Sequence, residues 1–160
     1  MTTERDRVTS MGFDHENSPK ECVFCKIIRG QAEASVILRD DEKGVISFMD
    51  LQGYPLVCPI EHVDSTPDSL AHNTDLLAEV NKVALSLVPL VYEAFATDSV
   101  NLVTNLGTAA GQEIPHVHTH VMPRFNQDNR VRFQRLATVD REDLDIQAAR
   151  LRELLQISQG

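Results

Sequence analysis

The chain has 160 residues, 42% of them hydrophobic and 24% charged, which is enough for one domain with a sizeable apolar core. Its formal net charge of −9 argues against nucleic-acid binding as the main activity, because proteins that bind a phosphate backbone usually present a basic face. With no apolar run near the roughly 18 residues of a membrane span, no hydrophobic signal segment and only three cysteines, we expect a cytoplasmic protein without membrane partners.

The first predicted feature is a polar arm over residues 1–20, which has no apolar periodicity and is expected to be flexible. The domain is expected to begin near Glu21, with a single helical turn over Val23–Arg29. Three short apolar strands come next, and the acidic turn between the first two indicates a hairpin: Ser35–Arg39, Gly44–Met49 and Leu56–Ile60.

Helical patterns follow these strands. Thr66-Pro67 is a typical helix start, with threonine as the cap and proline at the first helical position. A second start at Thr74 leads into apolar residues at helical spacing. Pro89 inside that pattern is expected to kink or locally break the helix, unless the flanking apolar residues carry the helix through. Beyond it we predict a fourth strand over Val100–Asn105, a histidine-carrying strand that follows the Leu106–Glu113 loop, and a terminal helix over Asp140–Ile157. This order of elements favours an α+β fold over a doubly wound sheet.

The segment Ile114–Arg124 carries three of the six histidines of the chain. His116, His118 and His120 alternate with β-branched residues, so on a strand the three imidazoles would lie along one face. Imidazole serves as a nucleophile, an acid, a base or a metal ligand near neutral pH. The spacing alone leaves three interpretations open: nucleophilic chemistry at phosphorus centred on His118, a metal cluster, or an incidental histidine-rich edge.

The pattern His-Val-His-Thr-His-Val-Met resembles the signature of the histidine-triad (HIT) family. Five other segments match that family in the same order: Cys22–Ile28, Val45–Asp50, Leu56–His62, Val100–Asn105 and Ala110–Gln112. The resemblance implies a HIT-like fold, an antiparallel sheet with one long central helix and a C-terminal helix. It places the HIT domain at residues 21–125 and makes residues 126–160 a C-terminal extension whose terminal helix packs on the domain.

The resemblance also implies an enzyme, a nucleotidyl hydrolase that cleaves nucleoside phosphoramidates or dinucleoside polyphosphates, with purine nucleotides preferred. His118 would attack the α-phosphorus and form a nucleotidyl-histidine that water then hydrolyses. The main-chain carbonyl of His116 would hold the proton on the far nitrogen of His118. His120 would donate to a non-bridging phosphate oxygen, where a donor aimed at developing charge contributes most.

Substrate-binding roles come from the same resemblance. Asp50 matches the position that bonds the ribose hydroxyls, and Asn105 and Gln112 match phosphate contacts. Phe24 and Ile27 match the apolar wall against the base, although both are equally good as plain core residues. Glu113 occupies a position where a small hydroxyl residue commonly contacts the leaving group, and it could donate a proton there if burial raised its pKa.

A metal site is the second implication. Cys22 and Cys25 form a Cys-x-x-Cys pair, which alone could be a redox pair or two inert thiols. In HIT proteins that carry this pair, two histidines complete a structural zinc site, and His62 and His116 occupy those positions here. A Cys₂His₂ set is common for structural zinc. We expect Zn²⁺ in that role, with neither a catalytic metal nor an organic cofactor.

The chain departs from the family pattern beside Asp50. Only Leu51-Gln52 remains of a longer loop, and Tyr54 replaces a histidine, which reshapes the rim of the base pocket. Two functions other than hydrolysis stay open: a nucleotidyl transferase that uses the same intermediate, and a non-catalytic nucleotide-binding regulator. By resemblance the protein is expected to be a homodimer that binds a small nucleotide substrate.

Overall fold

The computed structural model describes residues 22–128 and 138–158, so the arm predicted over residues 1–20 lies outside the described residues. The chain divides after Asp128 into two compact units. The described part of the second unit contains one helix, α4, which spans Arg141–Ser158 and matches the predicted terminal helix. Its predicted packing on the domain stays a prediction.

The first unit is built around a five-stranded sheet. Its strands are β1 (Val36–Asp40), β2 (Val45–Met49), β3 (Pro55–Pro59), β4 (Ser99–Thr104) and β5 (Thr119–Arg124). They lie in the order β1-β2-β3-β5-β4, and every neighbouring pair is antiparallel. The helices are α1 (Val23–Ile28), α2 (Pro67–His72) and α3 (Thr74–Phe95). The predicted α+β class, with an antiparallel sheet and one long helix, is therefore confirmed.

Both faces of the central strands are buried. On one face α1 contributes Phe24 and Ile28 to an apolar cluster with Ile46, Phe48 and Leu56. On the other face, the buried residues of α3 pack against the sheet in a second cluster: Val45, Val57, Val80, Val83, Ala84, Leu87, Val91 and Val121. Because strand residues alternate between the faces, β2 and β3 supply both clusters, and they read as nearly continuous apolar runs.

Helix α3 runs through Pro89 and ends six residues later at Phe95. The expected break does not occur because Leu87 and Val91, on either side of the proline, are both buried against the sheet. The helix is instead ended by Ala96, whose φ of 50° is left-handed and closes the last turn.

Strand β5 is shorter than the predicted histidine strand. It pairs with β3 through Leu56 and His120, and the same register would place Pro59 opposite Val117. Proline has no N–H to donate, so the ladder cannot continue there. The Val117 amide instead donates to the carbonyl of Val63, at 2.7 Å. His116 and His118 therefore precede the strand, and only His120 lies within it.

None of the helices in the described ranges combines the length and apolar character required to cross a membrane.

Candidate active site and metal centre

Four side chains from distant parts of the chain meet beside α1. Cys22 and Cys25 come from the start of that helix, His62 follows β3, and His116 precedes β5. One candidate ligand atom from each residue lies within 4.8 Å of all the others. The Cys25 Sγ is 3.3 Å from Nδ1 of His62, and Nδ1 of His116 is 3.6 Å from the Cys22 Sγ and 3.7 Å from the Cys25 Sγ. These residues could hold a metal ion.

The spacing and the protonation of His116 both fit zinc. Zn–S and Zn–N bonds in a tetrahedron put neighbouring sulfur and nitrogen ligands about 3.5 Å apart. The Nε2–H of His116 donates to the Pro59 carbonyl at 2.9 Å, which leaves Nδ1 unprotonated and facing the thiols. Burial lowers the pKa of His116 to about 4, so the ring is neutral, as a ligand must be.

His118 lies next to this centre and is 6% exposed. Its Nδ1–H donates to the main-chain carbonyl of His116 at 2.7 Å, the contact expected from the sequence. In the neutral ring Nε2 is then the unprotonated nitrogen. Burial lowers the pKa of His118 and favours that neutral form, while the bond to His116 opposes the shift. The edge of its ring packs against Phe24, with centroids 5.0 Å apart.

His120 stands beside His118, with ring centroids 4.7 Å apart. Tyr54 covers another side of the His120 ring at 5.5 Å. The His120 Nδ1 is buried, lies 3.5 Å from Oδ2 of Asp50, and has no hydrogen-bond partner among the described residues. Burial lowers the pKa of His120 and His118 lowers it further, whereas Asp50 raises it.

The remaining predicted binding residues differ in how far they are buried and in what they contact. Gln112 is buried and uses both ends of its amide within its own loop, accepting from the Gly107 N–H at 2.7 Å and donating to the Ile114 carbonyl at 3.0 Å. Glu113 next to it is exposed, so the burial that a neutral carboxyl would need is not present. Asn105 is half-buried at the end of β4.

Phe24 and Ile27 both belong to the apolar cluster beneath the site. Phe24 is 6% exposed and stacks edge-on against Phe48 at 5.1 Å, so it is a core residue that also borders His118. Ile27 is partly buried and packs against the same cluster.

Two contacts at the site were not predicted from the sequence. The carbonyl of Pro59 accepts from His116 and sets its tautomer. The ring of Tyr54 packs on His120. Every residue has a main-chain carbonyl, so the contact of the Pro59 carbonyl with His116 could not be predicted from residue type. The unusual tyrosine at position 54 could have indicated a changed contact there.

Comparison with known proteins agrees with this geometry. The family model for the HIT domain matches residues 29–127. The chain belongs to the HIT family. An uncharacterized HIT-like protein of Methanocaldococcus jannaschii is 34% identical over 131 residues, covering 77% of this chain and 95% of the relative.

Two further HIT relatives carry names that describe an activity. The adenylylsulfatase HINT3 of Arabidopsis thaliana is 36% identical over 115 residues, covering 68% of this chain and 54% of that protein. The adenosine 5'-monophosphoramidase hnt1 of Schizosaccharomyces pombe is 30% identical over 111 residues, covering 67% of this chain and 77% of that protein. Members of the family are thus named as hydrolases.

Solved HIT structures have the same fold. A crystal structure from Streptococcus mutans has a TM-score of 0.69 at 28% identity and covers 97% of this chain and 99% of its own. A zinc-bound histidine triad family protein of Mycobacterium smegmatis has a TM-score of 0.55 at 32% identity, covering 77% of this chain and 86% of that protein. The resemblance to a zinc-containing HIT protein is therefore confirmed.

Proposed function

We propose that this HIT protein is a nucleotidyl hydrolase that cleaves nucleoside phosphoramidates or dinucleoside polyphosphates. The observation that carries the proposal is the bond from Nδ1 of His118 to the carbonyl of His116. That bond holds the ring in place and leaves Nε2 with a lone pair, the arrangement that a nucleophilic imidazole needs.

The chemistry proceeds in two displacements. Nε2 of His118 attacks the α-phosphorus, the N–P bond forms, and the bond to the leaving group breaks with its electron pair. The leaving group takes up a proton from solvent in that step, and the water that attacks in the second step releases one, so the protons balance over the cycle. Water then attacks the same phosphorus, the N–P bond breaks, and the nucleotide leaves with regeneration of the neutral imidazole. No metal or organic cofactor takes part in these bond changes.

The other site residues have supporting roles in this proposal. His120 adjoins His118 and would donate to a non-bridging oxygen as charge develops there. Asn105 and Gln112 would add donors near the phosphate, and Phe24 and Ile27 would support the base from the core side. Glu113 is exposed and would meet the leaving group from the solvent side.

A nucleotide substrate is supported by the names of the two relatives. One is called an adenylylsulfatase and the other an adenosine 5'-monophosphoramidase. Both names refer to adenosine monophosphate joined to another chemical group, and that group differs between the two. A covalent intermediate on His118 would suit such a range, because the nucleotidyl half is held while the leaving group varies. Purine nucleotide conjugates are therefore the first substrates to test.

We also propose that zinc is structural here. In this arrangement Cys22 and Cys25 would bind Zn²⁺ together with His62 and His116, tying α1 to the segment before β5. A bound zinc ion would supply rigidity to the strand that carries the nucleophile, and the reacting groups would be His118 and His120.

The deciding experiment is to trap the intermediate. The protein is incubated with adenosine phosphoramidate and with diadenosine polyphosphates, quenched, and searched by mass spectrometry for an adenylyl mass on the peptide that contains residues 114–124. His118→Ala should lose the adduct and slow turnover by on the order of 10³-fold or more. The exposed His72 offers a matched control, and His72→Ala should retain both.

The result also separates the alternatives. An adduct whose decay depends on the concentration of added phosphate or sugar phosphate indicates a nucleotidyl transferase. Tight binding of AMP by folded protein, with no adduct and no turnover of any conjugate, indicates a nucleotide-binding regulator and contradicts the hydrolase.

A further inference from the structure

The His120 imidazole has a buried nitrogen with no assigned task. Its Nδ1 is screened from water and makes no hydrogen bond within the described parts of the chain. A buried polar atom without a partner destabilises a fold, so such an atom in a native site calls for an explanation. The phosphate role proposed for His120 uses a ring nitrogen that faces the substrate, and it does not account for Nδ1.

Asp50 is the carboxylate that faces this nitrogen. Its Oδ2 lies 3.5 Å from Nδ1 of His120, and the two side chains are only 13% and 17% exposed. That distance is just beyond a hydrogen bond, and catalytic contacts of this kind are often long before substrate binds. A small rotation about the Asp50 side chain would close it.

The turn after β2 holds Asp50 in this position. Oδ1 accepts from the main-chain N–H groups of Gln52 at 2.7 Å and Tyr54 at 3.4 Å, and the Asp50 amide donates to the Tyr54 carbonyl at 3.0 Å. One carboxylate oxygen is therefore engaged by the turn, and the other is left to face His120. The short Leu51-Gln52 loop is what brings these donors within reach of Oδ1.

Tyr54 closes the other side of the imidazole. Its ring packs edge-on against His120, and its hydroxyl donates to Oε1 of Gln52 at 2.8 Å. Among the residues that the structure describes, the groups that face His120 are His118, Asp50 and Tyr54, and Asp50 is the one anion of these three. The two departures from the family pattern, the short loop and Tyr54, together build this enclosure.

We propose that Asp50 is a positioning residue for His120, accepting a hydrogen bond from its Nδ1–H and thereby aiming Nε2 at the substrate phosphate. When His120 is neutral, its proton would then lie on Nδ1. When the ring is charged, the Asp50 carboxylate would stabilise that charge relative to a site without the carboxylate. The role in turnover rests on the proposed function, whereas the pairing of the two side chains does not.

The pairing is tested without any assay of activity. Protein labelled with ¹⁵N-histidine is titrated and the ring nitrogens of His120 are followed by NMR, in wild type, Asp50→Asn and Asp98→Asn. Asp98 is an exposed aspartate outside the site, so its variant makes the same charge change elsewhere. We expect neutral His120 to be protonated on Nδ1 and its pKa to fall in Asp50→Asn alone. An unchanged tautomer and pKa in Asp50→Asn overturns the proposal.

A kinetic comparison separates the pairing from ribose binding. Asp50→Asn should lower kcat/KM by a similar factor, on the order of 10-fold to 100-fold, for a ribose substrate and its 2',3'-dideoxy analogue. Asp50→Glu should restore part of that loss. A loss confined to KM and to the ribose substrate contradicts the proposal. If wild type turns over no conjugate, the hydrolase proposal fails while the NMR result still decides the pairing.

Discussion

The main-chain and side-chain groups of His116 connect the candidate metal centre to His118, the proposed nucleophile. Its Nε2–H donates to Pro59 at 2.9 Å, its Nδ1 faces the two thiols, and its carbonyl accepts from His118 at 2.7 Å. One buried residue therefore fixes the end of β3, the proposed zinc site and the tautomer of the proposed nucleophile. Disturbing the metal should affect both stability and the geometry of His118.

Loss of a zinc ligand should release the metal and destabilise the fold. We expect Cys25→Ser to reduce bound zinc from one ion per chain to nearly none, because the four-ligand set would be broken. The melting temperature should fall by about 10 °C or more, since metal binding is part of the folding free energy and 1 kcal/mol corresponds to about 2–4 °C at this size. Metal analysis and a thermal melt measure both.

Cys58 offers the control for that change. It is fully buried and lies outside the ligand set, so Cys58→Ala should keep the zinc even if it loses some stability. Equal zinc contents in Cys25→Ser and wild type would contradict the proposed site.

The protonation of His120 predicts how the rate depends on pH. Burial, followed by the influence of His118, lowers the pKa of His120, and the donor role requires the protonated ring. The rate constant kcat/KM, which reports the free enzyme, should therefore decrease as pH rises through a value below about 6.5, the ordinary histidine pKa. His120→Asn should be slower and should lack this decrease. The same decrease in the variant would assign it to another group.

Much of the architecture was predictable because it depends on local patterns. The helical spacing after Thr74 and the cap at Thr66 describe α3 and α2, and alternating apolar residues mark the strands within a residue or two. Where prediction failed, the reason was a contact distant in sequence. The strand that carries His120 begins late because Pro59 cannot donate to it, and that depends on the register between β3 and β5.

In the site as well, some features were predictable from the sequence and others depend on tertiary contacts. The family resemblance implied the four candidate metal ligands, and the structure brings their ligand atoms together. The orientation of Asp50 was not predictable, because it follows from donors in a turn whose closure the sequence does not specify. The sequence therefore indicates which functional groups the site contains. Tertiary contacts determine which atom of each group stays available for a ligand or substrate.

The exposure of Glu113 changes what its substitution should do. The proton-donor role depended on burial of this side chain, and Glu113 is exposed. We expect Glu113→Gln to leave the pH profile of kcat/KM unchanged and to alter the rate by less than about 3-fold, by removing charge near the phosphate. A lost limb in the profile would show instead that Glu113 is the proton donor.

The edges of the sheet predict how two copies would pair. Strands β4 and β1 are the two edges, and each exposes an apolar side chain, Leu102 at 37% and Ile37 at 42%. Strand β1 has an irregular register between Val36 and Leu38, which bends an edge away from pairing, whereas β4 pairs with β5 in continuous register over six residues. We therefore propose that the expected homodimer forms through β4.

A matched pair of variants tests that interface. In size-exclusion chromatography with light scattering, wild type should have twice the 17.9 kDa mass of one chain. Leu102→Lys should shift the population toward monomer, because a buried unpaired lysine at the contact costs several kcal/mol. Ile37→Lys makes the same change on the other edge and should remain dimeric. A monomeric wild type, or dissociation caused by Ile37→Lys and not by Leu102→Lys, would contradict pairing through β4.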